Sequence, residues 1–530
     1  MHMDDVRAFG ELLFLLLSGT GDGYSVQSRH VNRLPSVKQP RQSGYFIVQD
    51  SIYGWAQALD ALIDAYFLCR VRPEFDFSMV SPKGTLLLTT GARAPGPEPL
   101  KHMLESVEAR LKRAIGRKLI PLEVHDINCI ISNCVLAGGI RRAALIALFD
   151  RWDEEMLRCK SGEWWIEHPE RGRANNSAVL PRDETTYDEF KHVFDIMRHS
   201  GAGEPGFCWT DDPEMGMNPC VEASLWPKQF CNLTTVVQTT VESFDDFLYR
   251  AEAAAFIGTL QASYTDFPYR RPEWQETTER DALIGVSCTG VCDVPGLVTP
   301  EWLEEGAVSV LNTNERTAKQ IGINIAARTT LMKPEGSGSK VTCSRSGIGS
   351  GWNDFLINRV QINKNDDLAK YFERVVPELC EDVEGIANTM CIKIPQELSE
   401  GGMNRDDETA LQFLDRVMTY NRHWIAPGHR EGPNKHNVSC TVNVREHEWD
   451  GVLEYMWKHR TEYTGIALLP YDGGNYKQAP LTACTREEFE KLDAYVRSKN
   501  IDLRQVHEGE DNTEMDQIIA CGGGKCEVSF

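Results

Sequence analysis

Residues 218–233 read NPCVEASLWPKQFCNL, and the chemistry of the chain turns on them. In an extended segment, side chains two apart point to one side. Asn218, Cys220 and Glu222 therefore offer an amide, a thiol and a carboxylate to one pocket. Cys231 follows eleven residues after Cys220. A turn through Trp226-Pro227-Lys228 can bring the two thiols together. Taken singly, each cysteine has an ordinary reading: Cys220 as a loop thiol beside a solvated acid, Cys231 as an inert buried residue. What gives the stretch weight is the company it keeps along the chain.

Outward from it, amphipathic helices alternate with short apolar or β-rich runs. Helices are expected at 50–70, 98–116, 185–199, 242–263, 300–318, 365–377, 406–425 and 485–499. Strands are expected at 75–80, 177–180, 232–238, 284–290, 437–444 and 464–470. That alternation predicts βαβ units and a mainly parallel sheet. Asp50 and Ser51 stand where the first of these helices needs an N-cap. The 530 residues include 56 Lys plus Arg against 78 Asp plus Glu, a formal charge of −22. So acidic a chain is a poor wrapper for duplex nucleic acid, which demands many phosphate neutralisers. The longest apolar run, Leu12–Leu17, falls well short of the about 20 residues that a membrane span needs. A cytoplasmic protein is expected, without nucleic-acid or membrane partners, its 16 cysteines mostly free thiols.

Two further segments carry chemistry. Lys333-Pro334-Glu335-Gly336-Ser337-Gly338 resembles a phosphate cradle, in which glycines let backbone amides approach an anion. It lacks the spacing of a Walker A loop, and many such loops are only turns. Near the end, Cys521 and Cys526 flank three glycines and Lys525. They read as a redox dithiol on a glycine-rich tail, with Lys525 favouring thiolate. The other reading is half a zinc site, which would need two more ligands, and the chain has no C-x-x-C. Cys288 and Cys292 read as packing residues and the 164–173 run as structural. Arg141 and Arg142 read equally as a phosphate contact and as a solvated or salt-bridged pair. No metal site is expected.

In this order the pieces resemble the adenosylcobalamin-dependent (class II) ribonucleotide reductases of the monomeric, triphosphate-reducing type. The matching motifs run from Gly21-x-Gly23-Tyr24-Ser25-Val26 and Asp50-Ser51-x-x-Gly54-Trp55 through Val135-x-Ala137-Gly138-x-x-Arg141-Arg142, Asn175-Asn176-Ser177 and Gly203-Glu204-Pro205-Gly206. They continue through Asn218-Pro219-Cys220-x-Glu222, Cys231-Asn232-Leu233, Lys333-Pro334-x-Gly336, Asn437-x-Ser439-Cys440-Thr441 and Leu468-Leu469-Pro470-Tyr471-x-Gly473-Gly474, and close with Cys521 and Cys526. The resemblance implies an α/β fold, a ten-stranded barrel of two parallel five-stranded halves around a central finger loop. It implies a catalytic barrel over 1–505 and a redox tail over 506–530. Cys220 becomes the thiyl radical, Glu222 the general base, Asn218 a ribose hydrogen-bonding partner, and Cys231 one of two reducing thiols. Cys521 and Cys526 reset that pair and are themselves reset by thioredoxin or a similar dithiol. Asn176, Ser177 and the 333–338 loop would hold a ribonucleotide. Asp50 and Ser51 would serve a deoxynucleotide effector, although the short 35–50 segment puts the effector site in question. A single tyrosine, Tyr471, stands where class I subunits carry a dyad, which favours adenosylcobalamin as cofactor.

One departure stands out. The family's second reducing cysteine lies upstream of the Gly21 segment, and the twenty residues before Gly21 contain none. A separate N-terminal polypeptide, a fragment or mis-called start, and a degenerate copy are the readings that follow. The other functional readings are a nucleotide-binding subunit without activity, a class I-like large subunit that needs a radical-generating partner, and one part of a split enzyme that is inactive alone.

Overall fold

The structure is a computed structural model. It describes residues 1–86, 94–137, 140–141, 143–383, 388–471, 478–506, 521–522 and 525–526, and only the backbone of 136–137, 140–141, 521–522 and 525–526. Gly138, Arg142, Gly473 and Gly474, most of the 506–530 tail, and the side chains of Arg141, Cys521 and Cys526 lie outside the described parts. The chain divides into two compact units. One comprises Met1–Asn176, Arg359–Ile394 and Leu492–Phe530, the other Ser177–Asn358 and Pro395–Lys491.

In the first unit, nine of the ten residues of helix Ala8–Leu17 are buried, and it packs on helix Ile52–Phe67. The second helix begins where its cap is: Ser51 Oγ accepts from Gly54 N–H at 3.0 Å. Strand Asp22–Ser25 runs parallel to Leu145–Asp150, and Ser43–Ile47 parallel to Arg72–Asp76. The strand expected at 75–80 ends early, because Asp76 Oδ1 accepts from Ser78 N–H and turns the chain. The 164–173 run is structural, as expected. Arg171 binds both oxygens of Asp126 at 2.8 and 3.2 Å and also the Cys159 carbonyl. Helices Asp367–Val375 and Arg486–Ser498 fall where the periodicity put them.

The second unit holds three parallel strand pairs, each joined through a helix. Ser177–Pro181 pairs with Gly206–Thr210 across helix Tyr187–Ser200, and Asn232–Val237 with Ile284–Thr289 across helix Phe244–Gln261. Thr441–Val444 pairs with Ala467–Pro470 across helix Trp449–Lys458. Parallel neighbours need such crossovers, so the alternating pattern is explained. Cys288 and Cys292 are buried, as their packing role requires. The helix expected at 406–425 starts at Ala410, because Thr409 caps it by accepting from Gln412 N–H. Its last turn, Asn421–Ile425, widens to a π-helix, and Trp424 Nε1 there donates to the carbonyls of Val286 and Leu331.

The 333–349 segment hangs from strand Ile284–Thr289. At its start Lys333 N–H donates to Ser287 Oγ at 2.8 Å, and at its far end Gly347 N–H donates to Thr289 Oγ1. Between these points Arg345 is fully buried. It donates to Asp293 Oδ1 at 2.7 Å, to Asp354 Oδ1 and Asn404 Oδ1, and to the carbonyls of Met403 and Ser399. Removing one partner of such a pair strands a charge. Arg345→Ala should therefore lower stability by about 3–5 kcal/mol, seen as a shift in the denaturant midpoint. A change below about 1 kcal/mol would show that the network does not hold the segment.

Candidate active site

Gly216–Met217 and Ser224–Leu225 form a short antiparallel hairpin, with Met217 opposite Ser224. Its tip carries Asn218, Cys220 and Glu222. The tip is drawn tight from within. Val221 N–H donates to the Asn218 carbonyl at 2.9 Å, and Ala223 N–H donates to Asn218 Oδ1 at 2.9 Å. Val221 sits at φ +71°, a left-handed conformation that a β-branched residue adopts only under constraint.

The constraint is Asn437, which is wholly buried. Its Nδ2 donates to the Val221 carbonyl at 3.1 Å and to the Gly465 carbonyl at 2.7 Å, and its Oδ1 accepts from Thr464 N–H at 3.0 Å. Its backbone N–H donates to the Glu222 carbonyl at 2.8 Å. The strand expected to begin at 437 begins at Thr441, because residue 437 is spent on this clamp. Gly465 lets the tip come close: a Cβ there would lie 2.6 Å from Val221 Cγ1 and 2.7 Å from the Phe207 carbonyl oxygen.

Cys220 is reached by solvent, yet enough protein surrounds its sulfur to push the thiol up to about 12; the charge of Glu222 adds to this and that of Lys333 opposes it. Glu222 is buried, only 2% exposed. Burial raises its carboxyl above the ordinary range, against the hydrogen bond from Asn218 and the charge of Lys333, while Glu335 raises it further. Its Oε2 has no hydrogen-bond partner. Cys231 is also pushed up to about 12, by burial first, with Glu222 adding to the rise and Arg328 opposing it. Both thiols thus respond to the same carboxylate.

Lys333 lies among these groups, bonded to Thr235 Oγ1 at 3.2 Å and paired with Glu335 Oε2 at 3.0 Å, while Thr235 donates to that same oxygen. Pro334 accepts from the Ser346 hydroxyl, and Gly336, Ser337 and Gly338 open the short helix Gly336–Val341 that the cradle reading expects. Gly336 and Ser337 are exposed. The structure thus gathers Asn218, Cys220, Glu222, Cys231, Lys333 and Glu335 in one unit. Ser177, at the start of that unit, pairs in register with Gly206. Asn176 belongs to the first unit and donates to Cys159 Sγ at 2.8 Å. Asp50 and Ser51 lie there too; Ser51 caps its helix and Asp50 accepts from the Ser81 hydroxyl. In the tail, the backbone register sets Cys521 opposite Cys526. Among the described residues, Asp126, His168 and Glu170 lie close enough to share a metal, but arginines fill the space: Arg171 binds Asp126 and Arg110 binds Glu170.

Sequence reading did not assign roles to His436, Asn437, Thr235, Arg328 or Gly465. Asn437 was visible only within a motif. Its bond to Val221 spans 216 residues, and no local spacing signals such a contact.

No family model matches the chain. It is 24% identical to the adenosylcobalamin-dependent ribonucleoside-triphosphate reductase of Lactobacillus gasseri, over 98% of this chain and 80% of that protein. To the enzyme of the same name from Euglena gracilis it is 26% identical, over 98% of this chain and 72% of that protein. This chain is a homologue of the adenosylcobalamin-dependent ribonucleoside-triphosphate reductases. The resemblance carried by its motifs is borne out over nearly the whole sequence. A crystal structure of a B12-dependent (class II) ribonucleotide reductase superposes with a TM-score of 0.76 at 21% identity, covering 93% of this chain and 77% of that one. The α/β fold is therefore that of the reductase.

The raised carboxyl of Glu222 has a consequence for stability. An acid whose folded pKa exceeds its unfolded value contributes its full stability below the unfolded value and loses it as pH rises through the folded one. Glu222→Gln should match the native chain near pH 4 and exceed it in melting temperature near pH 8. Thermal unfolding across that range checks this; equal melting temperatures at pH 8 would show Glu222 to be adequately solvated.

Proposed function

We propose that the chain reduces ribonucleotides, as triphosphates, to 2′-deoxyribonucleotides by a thiyl-radical mechanism, supplying DNA precursors in the cytoplasm. The observation that carries this is an accessible thiol two residues from a buried acid whose Oε2 has no hydrogen-bond partner. The fourteen described cysteines are all free thiols, which suits a reducing compartment. No described helix is long and apolar enough to cross a membrane. We further propose that the parallel pairs belong to a ten-stranded barrel with the 216–225 hairpin as its central finger, and that 506–530 form a redox tail.

The cofactor fits in one testable respect. Cys220 is open to solvent while Glu222 is not, so a radical source can reach the sulfur without displacing the acid. Adenosylcobalamin, when bound, supplies that radical. Its proposed seat is the surface around Tyr471, where Arg445 lies over the ring at 5.0 Å and Ser350, Thr441 and Asn443 line a small polar cavity.

The chain's own residues do the rest. A thiol pushed up to about 12 remains S–H at working pH, the form that can donate a hydrogen atom and take it back. Glu222 accepts the proton of the 3′ hydroxyl through its free oxygen, and its raised pKa brings it nearer the pH at which a base is effective. Asn218 Oδ1 is committed to Ala223, which turns its amide N–H groups toward Glu222 and the ribose. Lys333 sits beside both groups as the counter-charge for the 333–338 phosphate loop, with Asn176 and Ser177 further nucleotide contacts. Cys231 and a second thiol supply two electrons and close a disulfide, which Cys521 and Cys526 reopen before passing the oxidation to thioredoxin or a similar dithiol. A deoxynucleotide effector at Asp50 and Ser51 completes the proposed partners.

Cys220→Ser should abolish deoxynucleotide formation while nucleotide still binds, and Glu222→Gln should lower turnover by about 10²–10⁴ with KM little changed. Multiple turnovers by Cys220→Ser would sink the radical role. For the tail, Cys521→Ser should leave one turnover of pre-reduced enzyme intact and remove dithiol-driven cycling. Chromatographic product counting per active site separates the two, and undiminished cycling would remove the tail from the reaction.

A further inference from the structure

Behind Cys231 lies a group of residues that the scheme above does not use. His436 is buried, 3% exposed, and its burial, together with the positive charge of Arg328, holds its pKa well below the ordinary range, so the ring is neutral. Its Nδ1 accepts from Ser224 N–H at 3.2 Å, which places the ring proton on Nε2. That Nε2 lies 3.8 Å from Cys231 Sγ. The ring also donates to the Ile284 carbonyl, so its one proton is shared between a carbonyl and the sulfur.

Arg328 stands close by, 1% exposed. It donates to the Glu431 carbonyl, to Gln229 Oε1 and to Asp281 Oδ2, while its Nε has no partner. The charged and titratable groups that face this cluster are Arg328, Arg280, Asp281, Glu222 and His429. A neutral N–H donor thus lies against a half-buried thiol, and the charge of a buried guanidinium acts on the same sulfur.

We propose that His436, backed by Arg328, is the hydrogen-bond donor that receives the negative charge formed on Cys231 Sγ when a disulfide to that sulfur is opened. This rests on reading Cys231 as a member of the reducing pair. The incoming thiolate bonds to the other sulfur of the disulfide. The old S–S bond breaks, and its electron pair departs on Cys231 Sγ. That leaves a mixed disulfide between the incoming and the other sulfur. The second thiol of the dithiol then attacks the incoming sulfur and expels the other sulfur as thiolate, so the original disulfide is reduced by two electrons and the dithiol closes into its own disulfide. As charge grows on the sulfur, the Nε2–H shifts from the Ile284 carbonyl to Sγ. The histidine keeps its proton, and the thiolate recovers one from solvent. Because Ser224 belongs to the hairpin base, the contact also fixes which sulfur leaves: it is Cys231, next to the finger, that is made the better leaving group.

The test is alkylation of the reduced full chain by iodoacetamide, with the Cys231 peptide followed by mass spectrometry from pH 7 to 11. In His436→Phe the rising limb should run about tenfold slower at each pH, as a rise of about one in thiol pKa requires. His436→Gln, whose amide still donates, should recover most of the native rate. Cys208, buried in the same unit and itself pushed up to about 12, should keep its profile and so report an intact fold. An unchanged or faster Cys231 profile in His436→Phe, or equal slowing in both variants, overturns the proposal. Repeated turnover by Cys231→Ser would instead overturn the role of Cys231 itself, whatever the alkylation rates.

Discussion

Everything at the candidate site depends on one strained backbone. Val221 must stand in the left-handed region for Cys220 and Glu222 to stand together at the hairpin tip, at a cost of about 1–3 kcal/mol for a non-glycine. Asn437 offsets it. Three bonds from its side chain and one from its backbone each contribute about 0.5–1.5 kcal/mol net, and all lie out of water. The sum equals or exceeds the strain, so the conformation holds without help from a ligand. That matters for the proposed radical role, in which the thiol must be in place before it becomes reactive.

The second requirement is control of charge. The chain is strongly acidic, with a formal charge of −22, yet the site places Lys333 and Arg328 where negative charge collects. Burial works in the other direction. It keeps Cys220 and Cys231 as thiols and favours the neutral acid at Glu222. The two effects are not in conflict. Burial sets a resting state with no stray thiolate to oxidise, and the fixed cations lower the cost of charge only at the atoms where the reaction needs it.

Local features of the site were legible in the sequence, because NPCVE puts its three functional groups within five residues, but the alternation expected to align them is replaced by a turn at Pro219-Cys220 and a left-handed Val221. One βαβ pair was legible in full, because Asn232–Val237, helix Phe244–Gln261 and Ile284–Thr289 each carry their own period, whereas strand Gly206–Thr210 and helix Trp449–Lys458 of the other two pairs were not expected. Strands such as Phe355–Asn363 and Thr389–Glu397 were missed because they are polar enough in sequence to read as loop, and their pairing is long-range. The clamp was illegible for a related reason. His436 and Asn437 are ordinary residues until the fold carries them more than 200 positions back to the hairpin. The strand expected to start at 437 was misjudged on the same ground, since tertiary bonds there override local β preference.

Two adjacent residues on one segment thus serve two ends of one hairpin. Asn437 fixes the tip, where the radical thiol and the base are proposed to act, and His436 touches both the base of the hairpin at Ser224 and the thiol of Cys231. Because successive side chains of an extended segment leave on opposite sides, one segment can hold both without either contact disturbing the other. The glycine at 465 completes the arrangement from a third direction, since any side chain there would meet Val221 and lift the tip out of register with the clamp. The backbone of the tip is therefore set by Asn437 and Gly465, which take no part in the proposed chemistry. A substitution at any of them would reach the reacting atoms through the backbone of Val221 and Glu222 before it altered their charge.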